Sequence, residues 1–112
     1  MQLTITEAGD PQIIRVEDGR IDSAVAIQFK DAVREAVSAS ATRVVLDLGH
    51  VEFIDSSGLG AIVAAMKGLS QGQRLDLAAL RPMVDKVFRM TRMDTIFVIH
   101  DTVEAAQGGS GN

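Results

Sequence analysis

Residues 44–60 read Val44-Val45-Leu46-Asp47-Leu48-Gly49-His50-Val51-Glu52-Phe53-Ile54-Asp55-Ser56-Ser57-Gly58-Leu59-Gly60, and the change of pattern inside them decides the fold. Val44 to Leu48 is a nearly unbroken apolar run with β-branched residues, which suits a central strand covered on both faces. Gly49-His50 makes a turn, and Val51, Phe53 and Ile54 carry the chain on toward Asp55. The period then changes, because Leu59, Ile62, Val63, Met66 and Leu69 fall on one helical face. Extended chain that passes into a helix, with Asp and Ser at the junction as natural caps, is a building unit of a parallel α/β sheet.

The same alternation continues outward. Upstream, Leu3 and Ile5 alternate with Thr4 and Thr6, and the turn cluster Gly9-Asp10-Pro11 returns the chain through a second strand, Ile13–Val16. Ile21, Val25, Phe29, Val33 and Val37 recur every four residues, which predicts an amphipathic helix capped by Asp22 or Ser23. Downstream, Gly68 and Gly72 bracket the end of the second helix, and Leu75, Leu77 and Ala79 alternate with Arg74, Asp76 and Ala78 as a further strand. Pro82 sits where a first helical turn tolerates it, ahead of Val84, Val87 and Phe88. Ile96–Ile99 predicts a last strand, and Asp101 or Thr102 caps a short closing helix through Val103 and Ala106. The order predicts an α/β domain with a mixed, mostly parallel sheet of four to five strands, an antiparallel pair at its start and about four helices. One domain is expected over residues 1–106, followed by a flexible Gly-rich tail at 107–112.

Composition narrows the chemistry. The chain has 112 residues, enough for one self-sufficient core. With no Cys and only His50 and His100, thiolate metal sites, thiol nucleophiles and His-rich metal sites are excluded. A formal net charge of −4 and four Phe without Trp or Tyr argue against nucleic acid as the main partner. The longest apolar run, Ala61–Met66, is far below the ~20 residues that span a bilayer. A cytoplasmic protein without a membrane partner or cofactor is the expectation. Both histidines read as turn residues, the methionines as core or groove fillers, and Arg81, Lys86, Arg89 and Arg92 as a solvated basic face.

Asp55-Ser56-Ser57-Gly58-Leu59-Gly60 carries the chemistry. Side-chain oxygens of Asp and Ser accept bonds from the orphan amides of a helix start, and Gly58 and Gly60 permit close approach of another backbone. Taken locally, this reads first as a capped helix with glycines for packing. Together with Val44–Leu48, however, the segment resembles the signature of the STAS domains, named for sulphate transporters and anti-sigma factor antagonists. Gly19-Arg20-Ile21-Asp22-Ser23-Ala24 resembles the loop before that family's first helix. Arg74–Leu77 and Pro82–Phe88 resemble its later strand and helix. The similarity runs from about Leu3 to Ala106 and is nearest to the free-standing bacterial anti-sigma factor antagonists.

That resemblance implies a regulated binding module. Such proteins bind an anti-sigma factor that is also a serine kinase, and so free the sigma factor. Phosphorylation of one serine dissociates the complex, and a metal-dependent serine phosphatase resets it. The matching phosphoacceptor is Ser56, with Asp22, Asp55, Ser57 and Gly58 as its partner-binding surround, and the free protein is expected to be a monomer. The family also supplies subunits of larger signalling or transporter assemblies, which is the alternative reading. An enzyme with Ser56 or Ser57 as nucleophile is disfavoured: no histidine falls at an obviously convergent position, and neither a G-x-S-x-G elbow nor a phosphate-binding G-x-x-x-x-G-K-S/T loop is present.

Overall fold

The computed structural model describes residues 1–109. A five-stranded sheet is built from β1 (Leu3–Glu7), β2 (Gln12–Val16), β4 (Arg43–Asp47), β6 (Arg74–Ala78) and β7 (Ile99–His100), side by side in that order. β1 is antiparallel to β2, and every later pairing is parallel. Two further short strands, β3 (Arg20–Ile21) and β5 (Phe53–Ile54), pair with each other outside this sheet. The helices are α1 (Ala26–Ala36), α2 (Ser56–Lys67), α3 (Pro82–Met90) and α4 (Val103–Gly109), with a 3-10 turn at Met93–Thr95. The mixed, mostly parallel α/β arrangement expected from the sequence is the one found.

Strand alternation sorts the core into two unequal layers. Ile14, Val16, Val44, Leu46, Leu75 and Leu77 pack with Phe29 and Val33 of α1, Ile62 and Ala65 of α2, and Val84 and Phe88 of α3. Ile13, Val45 and Ala78 cluster with Ala106 and Val103 of α4. Phe88 also meets Phe97 edge to face, with ring centroids 6.3 Å apart. Burying side chains of this size contributes roughly 1.5–3 kcal/mol each, so the larger layer fixes α1, α2 and α3.

Four expectations are corrected. Helix α1 begins at Ala26, and neither Asp22 nor Ser23 caps it. Pairing of Ile21 with Ile54 draws that stretch into β3, and the Asp22 carboxylate is used in a tight turn instead. The last strand is Ile99–His100, because Met93–Thr95 winds into a turn that buries Phe97 and leaves Ile96 and Val98 about half exposed. Helix α4 runs through Gln107 and Gly108 to Gly109, inside the segment expected as tail, whose remaining residues 110–112 lie outside the described residues. Finally, His100 is no turn residue. Its Nε2 stands 3.0 Å from Asp76 Oδ2, whereas His50 does lie in a turn, 3.9 Å from Glu17.

Asp76 is fully buried on the α4 side of the sheet, where β6 reads as an apolar strand interrupted by one carboxylate. It accepts from Arg74 Nε at 2.9 Å and Arg43 Nη2 at 3.2 Å, and Arg43 Nη2 also donates to the Ala106 carbonyl at 2.8 Å. The cluster therefore ties β4, β6, β7 and α4 together. Burial opposes ionisation of Asp76, but the bonds from His100 and Arg74 and the positive charge beside it outweigh burial and hold its carboxyl below the usual range.

Asp76→Ala is expected to cost about 3–5 kcal/mol, since it leaves the largely buried Arg43 guanidinium without its carboxylate. A carboxyl whose folded-state value is lowered adds stability that is complete above its unfolded value, about pH 4, and is lost as pH falls through the folded value. Denaturant titrations from neutral to acid pH check this. The stability gap between wild type and Asp76→Ala should narrow below about pH 4.

Candidate functional site

The two short strands build the site. Gly19-Arg20-Ile21-Asp22 and Glu52-Phe53-Ile54-Asp55 each place an isoleucine before an aspartate, and the strands pair in register, Arg20 with Phe53 and Ile21 with Ile54. Ile21 and Ile54 are buried. The Gly19 carbonyl accepts from Glu52 N at 2.7 Å, and the Ile21 carbonyl from Asp55 N at 3.4 Å. Parallel pairing carries both chains toward the same end, so the loop before α1 and the start of α2 arrive together.

Asp55 joins them. It is the N-cap of α2, and its Oδ1 accepts from the Gly58 amide at 2.9 Å. Its other oxygen, Oδ2, accepts from the Ser23 amide across the junction at 3.3 Å. One carboxylate thus satisfies an orphan helix donor and fastens the neighbouring loop. Asp22 shapes that loop: Oδ1 accepts from the Ala24 amide at 3.1 Å, and Oδ2 pairs with Arg20 Nε at 3.2 Å. Its carboxylate makes no bond to Ser56 among the described residues.

Gly58 lies beneath this junction. A Cβ there would stand 2.8 Å from Ile54 Cγ1 and would collide outright with the Ile21 carbonyl oxygen. The residue is buried and sets how closely α2 approaches β3. Gly60, expected to serve the same purpose, faces open space.

Ser56 and Ser57 are both exposed, and their settings differ. Ser56 opens α2 directly after the clamped Asp55. Ser57 lines a shallow cleft between α1 and α2 with Ala26, Ile27, Lys30 and Ala61, and Ile27 is 73% exposed there. On the other flank, the Arg20 guanidinium lies over the Phe53 ring with its Cζ 4.3 Å from the centroid. The histidines are occupied elsewhere, His50 beside Glu17 and His100 with Asp76. An activated nucleophile needs a base in hydrogen-bond reach; this turn presents a hydroxyl instead, between carboxylates already engaged by the backbone. No group of side chains suited to hold a metal ion occurs among the described residues.

Asp22, Asp55, Ser56, Ser57 and Gly58, expected at one place from the sequence, come together in the structure. The β3–β5 pairing, the Arg20–Phe53 stack and exposed Ile27 were not expected. The repeated Ile-Asp step in two segments destined to meet was the available signal for the pairing.

Comparison with known proteins adds relatives to this geometry. The STAS domain profile matches residues 2–106. The candidate anti-sigma factor antagonist BtrV of Bordetella bronchiseptica is 36% identical over 95% of this chain and 91% of its own. A crystal structure of an anti-sigma factor antagonist from Mycobacterium paratuberculosis superposes with a TM-score of 0.85 at 23% identity, covering 99% of this chain and 94% of that one. The anti-sigma factor antagonist SpoIIAA in its unphosphorylated form gives 0.73 at 24% identity, covering 97% of this chain and 94% of its own. Its phosphorylated form, from Bacillus, gives 0.66 at 23% identity and covers 97% of each chain.

The two glycines of the turn should respond oppositely to one methyl group. Gly58→Ala is expected to cost about 1–3 kcal/mol, because the added carbon forces α2 off β3. Gly60→Ala should be neutral or stabilising by up to about 1 kcal/mol through helix propensity. Denaturant unfolding of both variants checks the pair.

Proposed function

The chain belongs to the STAS domain family, and we propose that it is an anti-sigma factor antagonist whose hold on an anti-sigma factor serine kinase is released by phosphorylation of Ser56. The observation that carries this reading is the setting of Ser56: an exposed hydroxyl on the first turn of a helix whose cap also clamps the adjoining loop. In the transfer step the Ser56 oxygen bonds to the γ-phosphorus of ATP, the bond to ADP breaks, and the hydroxyl proton passes to the kinase or solvent. A metal-dependent serine phosphatase would return the hydroxyl by hydrolysis. This protein is then substrate and ligand, with no chemistry of its own.

The surround has a defined part in that reading. Asp55 holds the acceptor in place, Gly58 lets the junction close, and Asp22 shapes the loop beside it. Ser57, Ile27 and Lys30 offer an apolar cleft with a cationic edge next to the acceptor. No helix among the described residues is long and apolar enough to cross a bilayer.

Phosphorylation should alter binding more than stability. A phosphate adds about −1.5 to −2 charges. The amino end of α2 favours an anion by roughly 0.3–1 kcal/mol, and Asp55 and Asp22 oppose it, so the fold changes little. At the interface the dianion has no such offset. Excluding or desolvating it where a hydroxyl had packed costs several kcal/mol, and each 1.4 kcal/mol is tenfold in affinity.

Mass spectrometry after incubation with candidate anti-sigma factor kinases and ATP should place the phosphate on Ser56, with Ser57 unmodified. Calorimetric titration should then show Ser56→Ala binding the kinase like wild type, and Ser56→Asp and the phosphorylated chain binding at least about tenfold more weakly. Equal affinities of unmodified and fully phosphorylated chains would reject the switch. Asp22→Ala should lower phosphorylation or binding while changing stability by less than about 0.5 kcal/mol.

A further inference from the structure

Two carboxylates lie at the Ser56 turn, and two cations, Lys30 and Arg20, lie on the elements to either side of it. Asp55 is committed to the amides of Ser23 and Gly58, and Asp22 to the Ala24 amide and Arg20. Lys30 lies on the α1 side, in the cleft beside Ser57. Arg20 is placed differently. Its guanidinium is stacked on Phe53, its Nε is spent on Asp22, and its terminal nitrogens donate to no protein acceptor among the described residues. The side chain is 64% exposed.

The direction of Arg20 matters. β3 and β5 run parallel, so beyond the Arg20–Phe53 pair both strands head toward the Ser56 turn. Bonding to Asp22, the first residue past the end of β3, shows that the arginine already leans that way. Ser56 follows Phe53 by three residues, about 10 Å of extended chain at about 3.3 Å per residue. A long arginine from one side and a phosphoserine from the other close such a gap between them.

We propose that Arg20 is the internal counter-ion of phosphorylated Ser56. The phosphate arrives next to two carboxylates, and Asp55 cannot turn away without uncapping α2. The Arg20–Asp22 pair is exposed and readily exchanged, and a guanidinium grips phosphate oxygens through two parallel N–H bonds. Modification therefore pulls Arg20 off Asp22 and changes the lip of the proposed docking surface on the side away from Ile27. This inference rests on Ser56 being the acceptor, and it supplies what the modified state does next.

Phosphoserine encoded at position 56 during translation tests it without any kinase. The phosphate's midpoint is read by phosphorus NMR in the otherwise unsubstituted chain and in Arg20→Gln, Arg20→Lys and Lys30→Gln, with circular dichroism as the folding control. Removing the counter-ion in Arg20→Gln should raise the midpoint by about half a pH unit or more. Arg20→Lys should fall between, and Lys30→Gln should move it clearly less. Equal midpoints in Arg20→Gln and the parent, or a larger rise in Lys30→Gln, would overturn the assignment. A midpoint governed by Arg20 in a phosphoprotein that still binds the kinase at full affinity would refute the switch and leave the counter-ion standing.

Discussion

One carboxylate constrains the end of this molecule that carries Ser56. Asp55 must cap α2 and hold the Ser23 amide at once, and it does both only if the β3 and β5 segments stand beside each other. Their closeness depends in turn on Gly58, whose hydrogen lies where any side chain would meet the Ile21 carbonyl. Backbone pairing, a cap and a missing Cβ thus enforce a single geometry. Ser56 inherits its position from them: it is the first residue past the clamp, fixed in backbone and free in side chain.

The rest of the fold makes that clamp stiff. Packing of α1 against α2, and of both on Ile14, Val16, Val44 and Leu46, fixes the two elements whose ends the clamp joins. On the opposite face, the Asp76 cluster does polar work where the sheet has little apolar cover, because α4 is short and brings Ala106 and Val103. A buried carboxylate with three basic partners gives that layer directional bonds that apolar packing there does not supply. It lies on the face away from α1 and α2, so its titration in acid bears on the stability of the sheet and α4.

How far the sequence disclosed this follows from which signals are local. The strands of the central sheet and the faces of α2 and α3 were legible because period and composition agree over several turns. The start of α1 was not: Ile21 keeps the four-residue spacing of Val25 and Phe29, yet pairing with Ile54 across the chain outweighs that period. The last strand was misplaced for a related reason, since Ile96, Phe97 and Val98 look extended, whereas burial of Phe97 against Phe88 is served by a tight turn. Asp76 and His100 read as a polar strand position and a turn residue, because nothing local shows that Arg43, Arg74 and His100 converge there. The turn residues themselves were legible from caps and from the family resemblance. Arg20 on Phe53 is a register contact between distant segments, visible only once β3 and β5 are paired.

A single carboxylate couples the loop before α1 to the start of α2 and thereby positions Ser56. Amide hydrogen exchange resolved by NMR at Ser23 and Gly58 tests it most directly, in the wild type and in Asp55→Ala. Both amides should be protected in the wild type and both should lose protection in the variant, while amides within β4 and β6 keep theirs. Loss at Gly58 with unchanged exchange at Ser23 would contradict it, for Asp55 would then be a helix cap and nothing more.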